Sequence, residues 1–241
     1  MADILARLRS LFRLARYFLT CPKGYRAIRK VRRERLTYLK LPALTDLVEV
    51  VRSIHKQGIQ GDFIEAGCAL GGSALVIAAV KDPARVFSIY DTFELIPPPS
   101  AQDGTDVHRR YQTIISGQAQ GIKGELYYGY LPDLYERVRL SFERYGIPVQ
   151  VNQIHLVKGL FQDTLIPVQP VAFAHLDCDW YESVLTCLQR IEPLLVPGGV
   201  LVIDDYDDWS GCKKAVDEYF SDKKQNFRFT KKATLHIQRL I

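Results

Sequence analysis

At 241 residues, 47 % hydrophobic and 24 % charged, the chain has the balance of one globular domain with an elaborated end, which excludes a disordered or fibrous protein. Its five cysteines (Cys21, Cys68, Cys178, Cys187, Cys212) are odd in number and form no CxxC pair, which argues against a disulfide framework or structural zinc and for a reducing cytoplasm. The net charge of +5 is lopsided: residues 1–40 hold 12 Lys/Arg against 2 Asp/Glu, a net of +10, and the remainder carries −5.

Near the start, Ile4, Leu5, Leu8, Leu11, Phe12, Ala15, Phe18 and Leu19 recur at helical spacing, with Arg7, Arg9, Arg13 and Arg16 between them. This predicts a basic amphipathic helix over 3–19. No apolar run approaches the roughly 18 residues of a spanning helix. The interspersed arginines do not give the layout of a signal peptide. Cys21-Pro22-Lys23-Gly24 is expected to break the helix. A second basic helix is predicted from Tyr25 to Arg35, and Pro42 opens a third, Ala43 to Lys56, before Gly58.

From Gly61 the pattern becomes strand, loop, helix, repeated. Strands are predicted at 62–65, 85–90, 154–157, 171–177 and 200–204, and two more near 227–230 and 234–238. Helices are predicted at 73–80, 107–115, 131–145, 181–195 and 212–220. Residues 94–130, with three prolines at 97–99 and several glycines, form an irregular insertion expected to act as a lid. Strands alternating with helices predict an α/β fold with a mostly parallel sheet covered on both faces.

Two acidic clusters end short apolar runs: Asp177-Cys178-Asp179 after Val171–Leu176, and Asp204-Asp205 after Val200–Ile203. Ligands of open α/β sheets sit beyond the carboxyl ends of the strands. Four carboxylates converging there repel one another unless a cation or protons hold them, so a hard divalent metal is expected. The ordinary alternatives are a helix-capping acid pair and a solvated strand end. Upstream, Glu65-x-Gly67-x-x-x-Gly71-Gly72-Ser73 joins a strand to a helix, where glycines let a ligand approach the backbone. The spacing is not GxGxxG, which weakens a dinucleotide reading. Glu65 favours a cationic ligand portion over pyrophosphate, as in S-adenosylmethionine. Asp91, at the end of the next strand, is placed to accept hydrogen bonds from ribose hydroxyls. A turn needed only for packing is the alternative.

These motifs resemble the macrocin-type sugar O-methyltransferases of antibiotic biosynthesis. The resemblance runs from about Leu36 to Phe220. It rests on Gly61-Asp62-Phe63-Ile64-Glu65-Ala66-Gly67, Gly71-Gly72-Ser73, Asp91-Thr92-Phe93-Glu94, Gly159-x-Phe161-x-Asp163-Thr164-Leu165, Asp177-x-Asp179-x-Tyr181-x-Ser183 and Asp204-Asp205-Tyr206. It implies a single Rossmann-like class I methyltransferase domain, whose seven-stranded sheet has an antiparallel last strand. On that reading residues 1–58 are a basic helical extension and 59–241 the methyltransferase domain. It further implies S-adenosylmethionine and Mg2+ as cofactors. Asp177, Asp204 and Asp205 would be the metal ligands and Asp179 the general base, with Asp177 also catalytic. Glu65, Ala66, Gly67, Gly71, Ser73, Asp91, Thr92, Gly159, Phe161 and Asp163 would surround the cofactor, Asp163 near its adenine. Two departures stand out. Ala66 replaces the Cys or Phe that often follows the glutamate, and Glu94-Leu95-Ile96-Pro97 replaces a more usual Glu-Gly-Leu-Pro near the substrate entrance.

The expected activity is methylation of a hydroxyl, on a sugar of a glycosylated natural product or else on a polyketide, peptide, lipid or catechol-type acceptor. His108, Tyr181 and Trp209 are the substrate-contact candidates, and Tyr127, Tyr128 and Tyr130 shape the acceptor pocket or pack the lid. His175, inside an apolar strand, reads as a core histidine. Cys178 has no basic partner and does not read as a nucleophile. The body is net acidic without a basic aromatic groove, so no nucleic-acid partner is expected, and the intact acids at all four positions argue against a non-catalytic scaffold on the same fold. A homo-oligomer is expected from the resemblance. The N-terminal helix reads first as a solvated arm or subunit-contact helix that also covers the active site, with docking to an acidic carrier or phosphorylated acceptor, or to a membrane surface, as less favoured roles.

Overall fold

Residues 171–176 are apolar apart from His175, and all six are buried. They form the central strand of a seven-stranded sheet in a computed structural model that describes residues 2–241, the side chains of residues 2–7 and 10 excepted. In chain order the strands are β1 (Asp62–Ala66), β2 (Phe87–Asp91), β3 (Ile154–Lys158), β4 (Val171–Leu176), β5 (Leu195–Ile203), β6 (Phe227–Lys231) and β7 (Leu235–Arg239). Their spatial order is β3-β2-β1-β4-β5-β7-β6. The first five are mutually parallel, and β7 runs antiparallel to both neighbours. This is the predicted class I sheet with its antiparallel last strand.

Nine α-helices surround the sheet among the described residues. They are α1 (Ala2–Thr20), α2 (Pro22–Arg33), α3 (Leu41–Lys56), α4 (Gly72–Val80), α5 (Thr105–Ile115), α6 (Leu134–Arg144), α7 (Phe161–Thr164), α8 (Tyr181–Ile191) and α9 (Ser210–Tyr219). Alternate strand residues feed opposite cores. Phe63, Phe87, Ile89, Phe173 and Val202 pack with α2, α3, α4 and α6; Ile64, Ala66, Ala174, Leu176 and Ile203 pack with α8 and α9. Several predicted boundaries move: the helix expected at 181–195 ends at Ile191, with Leu195 already in β5, and the one expected at 131–145 begins at Leu134. Pro22 begins α2 rather than ending a break, because proline suits a first helical turn. Pro197, Gly198 and Gly199 lie within β5, opposite a register shift against β4, instead of forming a turn before the strand.

The predicted N-terminal helix is present, but its docking face is not the broad apolar stripe. Leu14 and Tyr17 turn inward, while Leu8, Leu11, Phe12, Phe18 and Leu19 are exposed. The side chains of Ile4, Leu5 and Arg7 lie outside the described residues. Polar contacts to α3 decide the orientation. Arg13 pairs with the buried carboxylate of Asp46, and the Tyr17 hydroxyl donates to Glu49 Oε1 at 2.6 Å. Burial and the neighbouring Glu49 carboxylate push the Tyr17 phenol well above its ordinary pKa, so it stays a donor.

Candidate active site

The strand ends are built like steps. Asp177 N–H donates to Ala66 O at 2.9 Å, and Asp204 N–H to Leu176 O at 2.9 Å. Because Leu176 lies opposite Ile203, the acids that follow them emerge side by side. Carboxylate oxygens of Asp177, Asp204 and Asp205 all lie within 4.8 Å of one another. Burial pushes the carboxyl of Asp177 far up from the ordinary range, and the Asp204, Asp205 and Asp179 charges add to it. Asp205 is raised by burial, Asp179 and Asp204. For Asp204 burial again leads, partly offset by His175. Three acids held together against mutual repulsion, all oxygen donors, fit a hard divalent cation, whose charge removes the repulsion.

Asp179 departs from the simple alternation of an extended chain. β4 ends at Leu176, and Asp179 adopts φ +57°, a left-handed conformation that aspartate tolerates better than most residues. Its N–H donates to Asp205 Oδ2 at 3.2 Å. Burial raises its carboxyl to about 6, while a hydrogen bond from Trp209 and the Arg110 charge act the other way.

These acids form one wall of a cavity of about 270 Å³. The glycine turn forms another, through Gly67, Cys68, Ala69 and Ser73. A Cβ on Gly67 would lie 1.8 Å from Asp177 O, so no other residue fits between β1 and the β4 acid. Asp91 secures the turn from below: its Oδ2 accepts from Cys68 N–H (2.7 Å) and Ala69 N–H (3.0 Å), and its Oδ1 from Phe93 N–H (2.7 Å). A carboxylate offers about four lone-pair sites, so Asp91 keeps capacity for a hydroxyl donor from the cavity it also lines. An adjoining pocket shares Gly67, Asp91, Asp177 and Asp179, and extends along Thr92, Gly159, Phe161 and Gln162.

The expected residues divide. Gly67, Ser73, Asp91, Thr92, Gly159, Phe161, Asp177, Asp179, Asp204, Asp205 and Trp209 line these two spaces. Glu65 and Ala66 lie beneath them, fully buried in β1; Glu65 Oε1 meets His175 Nδ1 at 2.8 Å, which makes His175 a core histidine. Gly71 caps α4 off the wall, and Asp163 is exposed while its neighbour Gln162 faces the pocket. His108 is exposed too. Val107 and Ile114 fix the inner face of α5, and that helical phase turns Arg110, not His108, toward the cavity. Tyr181 is drawn into the core, its hydroxyl donating to Glu218 at 2.7 Å and its N–H to Asp103 at 2.8 Å.

A scan against protein-family models matches residues 37–231 to the macrocin O-methyltransferase (TylF) family. The chain belongs to that family. Among curated relatives, the 8-demethyl-8-(2,3-dimethoxy-α-L-rhamnosyl)-tetracenomycin-C 4'-O-methyltransferase of Streptomyces olivaceus is 33 % identical over 189 residues, covering 76 % of this chain and 67 % of that one. The mycinamicin III 3''-O-methyltransferase of Micromonospora griseorubida is 26 % identical, over 76 % of this chain and 69 % of the relative. Among solved structures, the O-methyltransferase NovP superposes with a TM-score of 0.69 at 24 % identity, covering 85 % of this chain and 82 % of NovP, and so shares the fold. The protein is an S-adenosylmethionine-dependent O-methyltransferase.

This macrocin-family member also builds its cavity from residues that carry no motif. Leu36–Leu39, the link between α2 and α3, closes one side. It sits so close to the start of α4 that a Cβ on Gly72 would lie 2.2 Å from Leu36 O. The missing side chain at Gly72 is the only sequence trace of that contact. Beside it, the Tyr127 and Tyr128 rings meet at a tilt, 4.5 Å between centroids; Tyr38 of the link meets Tyr128 edge-on, and Arg110 lies over Tyr127 at 5.4 Å. Trp209 packs edge-on against Trp180, whose indole N–H donates to Pro97 O at the start of the insertion.

Proposed function

We propose that this enzyme methylates a hydroxyl on the sugar of a glycosylated natural product, with a divalent cation, Mg2+, held by Asp177, Asp204 and Asp205. The observation that carries the cation is the triad of mutually repelling carboxylates on the cavity wall, Asp205 buried and Asp177 and Asp204 half-buried. Support for a sugar acceptor comes from relatives named for a rhamnosyl tetracenomycin and for the 3''-hydroxyl of mycinamicin III. An aromatic wall of Tyr38, Tyr127, Tyr128 and Trp209 beside Arg110 suits the apolar faces and hydroxyl rim of a sugar ring.

An alcohol is a poor nucleophile at neutral pH. When bound, the cation supplies positive charge that lowers the acceptor hydroxyl's pKa. Asp179, on the same wall and turned there by its left-handed backbone, takes the proton. S-adenosylmethionine, when bound, would supply the methyl from its sulfonium to the acceptor oxygen, the S–CH3 electron pair leaving on sulfur as S-adenosylhomocysteine. Gly67, Ser73 and Asp91 would hold it against the turn. Trp209 and Arg110 line the same wall, and both act to hold the Asp179 carboxyl down against the effect of burial.

The test is a screen of glycosylated macrolides, aminocoumarins and anthracycline-type polyketides, their aglycones, and simple catechols, with methyl-labelled cofactor, in Mg2+ or in EDTA. Label entering glycosides but not aglycones, and only with Mg2+, is expected. Equal label in aglycones would overturn the sugar acceptor, and undiminished transfer in EDTA would overturn the metal.

A further inference from the structure

The outer face of α1 is built for a surface that the folded chain does not provide. Taking 100° per residue, Leu8, Leu11, Phe12, Ala15, Phe18 and Leu19 fall within a stripe roughly 120° wide. All six are exposed, Phe12 at 76 % and Leu19 at 81 %. The opposite side, with Arg13 and Tyr17, is the side fastened to α3, and Leu14 is buried between it and the Phe18 edge of the stripe. The stripe therefore points outward as a consequence of docking, and does not await closure onto the body.

Positive charge frames it. Arg9 and Arg16 are exposed along one edge. At the other, Phe18 meets the Tyr25 ring of α2 edge-on at 5.4 Å, and the Arg29 guanidinium lies over that ring at 5.4 Å. Lys23, Arg26 and Arg33 continue the exposed basic surface along α2. The matched family region begins at residue 37, so this surface belongs to a segment outside it.

We propose that α1 lies flat on an anionic phospholipid bilayer, its apolar stripe among the acyl chains and its arginines at the headgroups. Charge selects this occupant. An apolar stripe with arginine edges is complementary to a negative surface that is apolar just beneath. A second copy laid stripe to stripe would bring together two segments of net +10 each, in which 12 Lys/Arg already outnumber 2 acids. Insertion across the bilayer is not required, since no helix among the described residues is long and apolar enough to span one. This inference is independent of which acceptor the enzyme methylates.

The experiment is co-sedimentation of the full chain with vesicles of phosphatidylglycerol and phosphatidylcholine, against phosphatidylcholine alone, at low and high salt, with solution mass measured in parallel. Binding to the anionic vesicles, weakened by salt, is expected. Replacing Arg9 and Arg16 by Gln should weaken it roughly fivefold per arginine, which is about 1 kcal/mol each. Phe12→Glu should abolish it while leaving thermal unfolding unchanged, and should Phe12→Glu fail to fold, the arginine variants carry the test alone. Absence of sedimentation with anionic vesicles, or equal binding by the variants, would overturn the proposal. So would a wild-type dimer that Phe12→Glu converts to monomer without any vesicle binding, which would assign the stripe to a second copy.

Discussion

The carboxyl edge of the sheet and the outer face of α1 invert the usual placement of side chains in opposite ways. At the sheet edge, three acids are crowded where burial opposes their charge. On α1, five large apolar side chains stand in solvent while smaller contacts hold the helix down. Each inversion costs stability in the isolated chain, and the cation and the surface proposed above would each relieve one of them. The difference lies in what surrounds them. The acids are fixed by strand register, so their spacing is rigid. The stripe is fixed only by the rotation of one helix, so its partner need only be broad.

The largest expected break of this comparison is Asp177→Ala, which should lower Mg2+-stimulated methyl transfer at least about 10³-fold, corresponding to roughly 4 kcal/mol of lost transition-state stabilisation. Labelled-methyl kinetics read this, and calorimetry should find S-adenosylmethionine binding retained. The same position carries a stability signature. In EDTA, Asp177→Asn should melt roughly 3 °C above the parent, because one repelling charge is gone. With Mg2+ the parent should gain and the variant should not. A parent that melts identically with and without Mg2+ would count against a cation at the triad.

Next, Asp179→Asn should lower kcat about 10²-fold or more, with little change in Mg2+ affinity. Equal losses in turnover and metal binding would make Asp179 a ligand rather than the base. Arg13→Ala strips Asp46 of its ion-pair partner and should cost roughly 1–3 kcal/mol in denaturant unfolding. Leu19→Ser, at the other extreme, should change unfolding by less than about 0.5 kcal/mol, since its side chain is already in water.

What could be read from the chain followed the range of the interactions. β4 and β5 were legible because buried parallel strands are continuous apolar runs, and the acids after them stand out against such runs. The Glu65–Ser73 turn announced itself through its glycines. Arg110 was hidden behind His108 because the phase of α5 is set by the burial of Val107 and Ile114, with Ile114 packed beside Ala119 and Tyr127, a tertiary fact. Leu36–Leu39 carries no composition signal at all; its place on the wall depends on α2, α3 and α4 meeting. The inward face of α1 was missed for a related reason. Its broad stripe is the stronger periodic signal, but Asp46 and Glu49, 33 and 32 residues from their partners, select the narrow face with Arg13 and Tyr17.

Asp46 also accepts from Ala233 N–H at 3.0 Å, in the connection between β6 and β7. One carboxylate thus ties the first helix to the final hairpin, with its charge sealed from water. Lifting α1 would strand that charge, so the helix is not a fraying tail. Hydrogen exchange should report α1 and the β6–β7 hairpin opening together as one cooperative unit, and anything that holds α1 in place should slow exchange at the far edge of the sheet as well.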